Sequence, residues 1–254
     1  MEEVFQRLNV PFERFEAIDG DNALCSPHYA SLPIGIRSGC INNEIACLLS
    51  HYEVWSLIVR RNDEYAAIFE DDIYVDDRLV TILLGSLHIP ENIDILKLET
   101  NHQTPVYLGP KIHIGSFEID IRRLLSIHRG SAGYILSKSA ATWLINNLAH
   151  FDVPVDVALF SPQHSIGCRL RVYQTFPAMI VQSASCLPLN RNPTLKSSMA
   201  DKRWANQPPR RNLLRRAGSR ALRLAREARL RLSSSSIEVP FEGKLWTDEP
   251  YGPK

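Results

Sequence analysis

The chain has 254 residues, 44% of them hydrophobic, and a formal net charge of +1. That length suits one substantial α/β domain with an appendage, and no run of about 18 apolar residues offers a membrane-spanning helix. Five cysteines (Cys25, Cys40, Cys47, Cys168, Cys186) form no CxxC pair, and an odd count without zinc-type spacing argues for reduced thiols in a cytosolic protein.

The N-terminal residues MEEVFQRLNV are acidic and carry no apolar signal core. Residues 2 to 8 read as a short helix, and Val10 to Glu16 alternates as a strand. Ala17 to Asp21 is a turn with acids at its mouth. Residues 24 to 41 are irregular, with Pro27, Pro33, Gly35 and Gly39 as breakers. A helix begins at Asn42 or Asn43, either of which can cap it. Ile45, Leu48, Leu49, Tyr52 and Val59 give it one apolar face. Glu44, Cys47, His51 and Trp55 form a second stripe at i, i+3, i+7 and i+11. A carboxylate and an imidazole on the flank of a core helix suit a site. They equally suit a satisfied structural histidine and a glutamate favoured by the helix dipole.

The helix ends at Arg61-Asn62-Asp63, and Tyr65 to Asp76 follows with the sequence YAAIFEDDIYVD. An apolar run entering Glu70-Asp71-Asp72 reads as a buried strand with three carboxylates at its end. Buried anions are costly unless paired or metal-bound, and ligands sit at the carboxyl ends of strands in open α/β sheets. Glu70 and Asp72 make an acid-x-acid pair of hard oxygen ligands suited to Mg²⁺ or Mn²⁺ on a diphosphate. The plainer alternative is a solvated turn. A helix running into an apolar strand predicts an αβ unit and a mostly parallel sheet.

Residues 77 to 88 are predicted helical, and Ile93 to Leu98 is predicted as the next strand. Val106 to Ile121 reads as a hairpin, with turns at Gly109-Pro110 and Gly115-Ser116. Ser131 to Leu136 is a strand entering a helix capped by Ser137, with Ala140, Ala141, Leu144, Ile145 and Leu148 on its apolar face. Pro154 opens a short helix with Asp156 near its N-terminus, where an acid also serves as a simple dipole partner. Arg169 to Phe176 is a strand, and Pro177 to Gln182 leads into a polar loop.

Residues 208 to 232 change character. They hold nine arginines and one acid, Glu227, so this stretch carries +8 and the remainder carries −7. Leu213, Leu214, Ala217, Ala221, Leu224, Ala225, Ala228 and Leu232 fit one helical face. A basic amphipathic helix of this kind suits an anionic membrane surface. A packed helix with a solvated arginine face is the competing reading. Nucleic acid is not expected, because no aromatic residues interleave for base stacking. Ser233 to Ser236 reads as a linker and the remaining tail as loose.

The ordered set of segments is similar to glycosyltransferase family 25, the lipooligosaccharide-type galactosyltransferases. Phe15-Glu16-Ala17-Ile18-Asp19-Gly20 resembles the family's early F-x-A-x-D-G segment. Asn43 to His51, followed by Trp55, resembles its G-E-x-x-C-x-x-S-H helix, with Asn43 in place of Gly. Ile68 to Asp72 resembles its acidic metal motif. Asp94 to Leu98, Gly133 to Ser137 with Ala140 and Ala141, Pro154-Val155-Asp156, and Pro177 with Gln182 follow in family order. The likeness spans roughly residues 10 to 190.

The resemblance implies a GT-A-like single α/β domain with a mostly parallel central sheet over residues 1–200. An Arg-rich amphipathic helix and loose tail would fill residues 201–254. It implies an inverting transfer of galactose or another hexose from a UDP-sugar, UDP-galactose first among them, to a lipooligosaccharide- or lipopolysaccharide-type glycan acceptor. It places the protein in the cytoplasm, peripheral on the inner face of the cell membrane. Glu70, Asp71 and Asp72 would hold Mn²⁺ or Mg²⁺, with Asp72 as the direct ligand. Asp156, or as second choice Glu44, would act as general base. His51 and Gln182 would orient donor or acceptor, and Asp19 would touch the nucleoside. The family normally opens with a strand and an L-x-R-x-x-R turn, and Met1 falls after that strand. The alternative is a non-catalytic homologue that binds a membrane or partner.

Overall fold

The computed structural model describes residues 2–85, 89–101, 105–114, 119–186 and 236–242. Its helices are α1 (Glu2–Arg7), α2 (Ile34–Gly39), α3 (Asn42–Arg60), α4 (Leu79–Leu83), α5 (Lys138–Asn146) and α6 (Val155–Phe160). Its strands are β1 (Tyr65–Phe69), β2 (Ile73–Val75), β3 (Ile95–Lys97), β4 (Glu99–Thr100) and β5 (Val106–His113). They continue with β6 (Asp120–Leu124), β7 (Gly133–Ser137), β8 (Val172–Phe176), β9 (Ile180–Gln182) and β10 (Ser236–Ile237).

Two sheets form, a large one in the order β1-β7-β3-β8-β6-β5-β10 and a small one in the order β2-β9-β4. The single α/β domain stands, but the expected mostly parallel sheet does not. Among the strands described, β3/β8 and β4/β9 pair in parallel and the other ladders are antiparallel. The apolar runs misled for a physical reason: they report burial on both faces, not strand direction. Side chains alternate across a strand. Ile68, Tyr134, Leu136 and Ile95 face one core under α3 and α5, whereas Ala67, Phe69, Ile135 and Leu96 face a second core with α4. Such burial makes an antiparallel strand look like one from a parallel sheet.

α3 is the central helix. It buries Ile45, Leu48, Leu49, Trp55 and Ile58, and only partly covers the expected Tyr52 and Val59. Its second stripe also turns inward, so His51 and Trp55 are buried. Asn43 lies within the helix, where a non-glycine residue is at ease. Ser137 caps α5 as expected, its Oγ accepting the Ala140 N–H at 3.2 Å.

The strand expected at Val10–Glu16 is absent. Val10 is buried, but Phe12 and Phe15 are exposed, three positions apart rather than two. The helix expected over 77–88 is cut to α4, ending before Gly85, whose φ of +75° is left-handed. Gly109-Pro110 lies within β5 as a register irregularity rather than a turn, while Gly115-Ser116 falls outside the described residues. So does the whole 208–232 segment. Residues 236–242, expected as linker and tail, return to the domain. β10 pairs with β5, Val239 is buried, and the Thr100 hydroxyl donates to the Val239 carbonyl at 2.9 Å.

Candidate active site

The acidic stretch lies where the two sheets meet. β1 ends at Phe69, and the Glu70 N–H donates to the Ala132 carbonyl at 2.9 Å. The chain then enters β2, whose first residue Ile73 lies opposite Gln182 on β9. The Ser183 N–H donates to the Asp72 carbonyl at 2.9 Å. A second crossing from large to small sheet occurs at Leu98, between β3 and β4, and leaves Lys97 and Glu99 buried beside the first.

Glu70 is held on two sides. Its Oε1 accepts the Ser131 hydroxyl at 2.9 Å and lies 3.8 Å from His51 Nε2. Its Oε2 accepts the Gln182 amide at 2.9 Å. Burial raises the carboxyl's pKa, but His51, Ser131 and Lys97 outweigh it and leave the group below its ordinary value. Asp72 fares differently. Burial and the adjacent charge of Glu70 push its carboxyl up to about 6, and the Gln182 amide, 3.4 Å away, compensates only in part. Asp71 is exposed. A half-buried carboxylate that resists ionisation beside another carboxylate is short of a cation. The carboxylates of Asp72 and Glu70 are hard oxygen donors of the kind Mg²⁺ or Mn²⁺ takes, but among the described residues the group of three that converges is Cys47, His51 and Glu70 rather than the three consecutive acids.

His51 is fixed from behind. Its Nδ1 lies 2.8 Å from the Tyr134 hydroxyl, which also accepts the Trp55 indole N–H at 2.9 Å. Cys47, one turn earlier on α3, completes a convergent group: its sulfur, a His51 ring nitrogen and a Glu70 oxygen all lie within 4.8 Å of one another. Burial, then the charges of Glu70 and Asp156, push the Cys47 thiol well up.

Asp156 stands in the first turn of α6, and its charge is felt at Cys47. Its Oδ2 accepts the Gly130 N–H at 3.2 Å. Gly130 has φ +96°, and a Cβ there would stand 2.2 Å from Glu99 Oε1. Glycine is therefore required by both backbone and space. Glu44 also acts locally, its Oε2 accepting the Ile41 N–H at 3.2 Å at the start of α3. Asp19 is exposed, and its Oδ1 accepts the Asp21 N–H at 2.7 Å. Its loop docks on α3, where the Ile18 N–H donates to Ser50 Oγ at 2.9 Å and Gly20 lies against Asn43.

Sequence reasoning missed Lys97, Glu99, Gly130, Ser131 and Tyr134. Lys97 Nζ donates to Glu99 Oε2 at 3.1 Å and to the Gly130 carbonyl, and sits 4.2 Å from the Phe160 ring centroid. Glu99 Oε2 also accepts the Ala132 N–H at 2.9 Å, while its Oε1 is buried with no hydrogen-bond partner among the described residues. A signal existed: Lys97 and Glu99 interrupt an otherwise apolar strand, ILKLET, where an unpaired charge would be expensive.

The family model described as glycosyltransferase family 25 (LPS biosynthesis protein) matches residues 1–159. The chain belongs to glycosyltransferase family 25. That match includes Glu44, His51, the 70–72 acids and Asp156, and stops before Gln182. The chain is 33% identical over 171 residues to the lipooligosaccharide biosynthesis protein lex-1 of Haemophilus influenzae, covering 63% of this chain and 54% of that protein. It is 26% identical over 193 residues to the lipooligosaccharide biosynthesis protein lic2B of Haemophilus influenzae, covering 72% and 70%. It is 25% identical over 222 residues to the lacto-N-neotetraose biosynthesis glycosyltransferase LgtE of Neisseria gonorrhoeae, covering 83% and 79%. Against lex-1 and a putative glycosyltransferase of Haemophilus influenzae, the match spans about half the relative's length, 54% and 56%.

Proposed function

We propose that this family 25 chain acts as an inverting glycosyltransferase. It moves a hexose, galactose first among the candidates, from a UDP-sugar to a lipooligosaccharide- or lipopolysaccharide-type glycan. Family membership and the functions that lex-1, lic2B and LgtE are named for support the substrate class. The observation that carries the reading is Asp72: a half-buried carboxylate at a strand end, set against Glu70 and held only in part by Gln182. Donor and catalytic machinery of this kind needs a cation-hungry carboxylate where a diphosphate would lie.

Asp72, with Asp71 and Glu70, would hold Mn²⁺ or Mg²⁺, which when bound supplies neutralising charge for the departing diphosphate. Gln182 keeps the two carboxylates in register. Inversion requires a group that accepts the acceptor hydroxyl's proton during attack. Asp156 suits that role, since the Gly130 N–H fixes one of its oxygens. Glu44 is the second choice, because its carboxylate already serves the start of α3. His51 is assigned to orienting Glu70, and Asp19 to the nucleoside.

Residues 1–200 form the transferase unit in this reading, and the arginine-rich 208–232 segment rests on an anionic membrane surface. Among the described residues no helix is long and apolar enough to cross a membrane.

The deciding experiment is calorimetric titration of UDP into the chain with Mn²⁺ and then with EDTA. Binding that needs the metal is expected. Absence of binding in both conditions, with the protein folded by circular dichroism, overturns the reading.

A further inference from the structure

Glu70 divides two environments of different chemistry. Its Oε2 side, toward Gln182 and Asp72, offers only hard oxygen and amide groups. Its Oε1 side faces a thiol and an imidazole on α3.

Cys47 and His51 are separated by four residues, so both project from one face of α3. The Cys47 sulfur, a His51 ring nitrogen and a Glu70 oxygen lie within 4.8 Å of one another, and His51 Nε2 is 3.8 Å from Glu70 Oε1. Zinc–ligand bonds of about 2.0–2.3 Å in a tetrahedron place neighbouring ligand atoms roughly 3.3–3.8 Å apart. The group therefore needs only small side-chain adjustments to close on an ion. A thiolate, an imidazole and one carboxylate form a borderline-soft set, which selects zinc-class ions over Mg²⁺ or Mn²⁺.

The surrounding shell is already that of a ligand site. The Tyr134 hydroxyl, anchored by Trp55, holds the Nδ1 side of the imidazole and aims Nε2 at Glu70. Ser131 and Gln182 orient the carboxylate. Hydrogen-bonded outer partners of this kind fix the direction of the groups that touch the ion. The Glu70 side chain is 24% exposed, which gives an ion a way in.

We propose that Cys47 Sγ, His51 Nε2 and Glu70 Oε1 bind a single zinc-class divalent ion, on the opposite side of the shared Glu70 carboxylate from the hard-oxygen site at Asp72. The Cys47 S–H bond breaks as the sulfur–metal bond forms, and the proton passes to buffer. A fourth position stays open to water. The bound ion pins α3 to the junction of the two sheets. This site does not depend on the transferase reading: an inactive chain would still carry it.

The test is titration of Co²⁺ into the full chain with its thiols reduced. Expected is one equivalent bound through the thiolate, with a thiolate-to-cobalt charge-transfer band and the intense visible absorption of tetrahedral cobalt, displaced by Zn²⁺. Cys47→Ser should abolish the charge-transfer band and weaken binding by about tenfold or more. Cys25→Ser and Cys168→Ser, at exposed cysteines, should leave the band intact. Asp72→Asn should also leave it intact. As a second readout, Zn²⁺ should raise the melting temperature of the wild type and not that of Cys47→Ser. A folded protein with no thiolate band overturns the proposal. So does a band that survives Cys47→Ser, or one that vanishes in Asp72→Asn.

Discussion

Gln182 Nε2 donates to Glu70 Oε2 at 2.9 Å and lies 3.4 Å from Asp72 Oδ1, joining segments 112 residues apart in the chain. One neutral amide thus stands between two carboxylates where a cation would do the task more strongly. The β2/β9 ladder sets this relationship, since Ile73 and Gln182 are paired in register.

The first prediction concerns Asp72. Asp72→Ala should abolish metal-dependent UDP binding, because the carboxylate most in need of a cation is gone. Folding should be preserved, and stability should hold or rise slightly, since the change relieves repulsion with Glu70. Calorimetry with Mn²⁺ and urea unfolding check the two halves. Normal UDP binding in this variant would remove Asp72 from the metal assignment.

Asp156→Asn separates binding from turnover. Asn keeps an acceptor oxygen for the Gly130 N–H but cannot take up a proton. Turnover should fall by about 10²- to 10⁴-fold, the usual worth of a general base, while UDP-sugar affinity stays nearly unchanged. Loss of binding would instead make Asp156 a donor or metal residue and move the base to Glu44. Glu44→Gln is the matching control, expected to retain most turnover, because the amide oxygen can still accept the Ile41 N–H.

Much of the candidate site stands out in the sequence because it is carried by short local motifs. The Glu70-Asp71-Asp72 run, the inward stripe of α3 and the acid at the start of α6 each stand out at their own spacing. The structure brings the first two together through Glu70, His51 and Cys47. Strand direction was not legible, because side-chain burial is blind to it: β7 is buried along its length and antiparallel to both neighbours. The Lys97–Glu99 pair was missed because its partners, Gly130 and Ala132, come from a distant loop.

Gly130 resists substitution on two counts. Its φ of +96° disfavours any side chain, and a Cβ would collide with the Glu99 carboxylate. Gly130→Ala should cost about 1–3 kcal/mol from the backbone alone, with the displaced carboxylate adding to it. Urea unfolding measures the loss. A cost no greater than that of an ordinary surface substitution would mean that the loop relaxes freely and does not hold Asp156 in place.

Glu99 gives the fold a pH dependence of definite sign. Burial is the main cause of its pKa rising from 4.5 to about 7; the negative charge of Glu70 adds to the rise, and Lys97 opposes it. Between those values the folded state holds a proton that the unfolded chain has lost, so the folded state binds more protons and stability falls as pH rises. The contribution is fully present below about 4.5 and gone above about 7. Its size is at most about 3 to 4 kcal/mol, since each tenfold gain in proton affinity on folding carries about 1.4 kcal/mol. Glu70 acts oppositely, since its lowered pKa makes stability fall as pH drops, whereas Asp72, raised to about 6, acts in the same sense as Glu99. The Glu99 effect is therefore isolated by difference. Urea unfolding of wild type and Glu99→Gln across pH 4 to 8 should show the wild type losing stability relative to the variant as pH rises through this window. Parallel curves would mean that Lys97 keeps Glu99 ionised throughout, and that the buried pair is a salt bridge rather than a protonated acid beside a lysine.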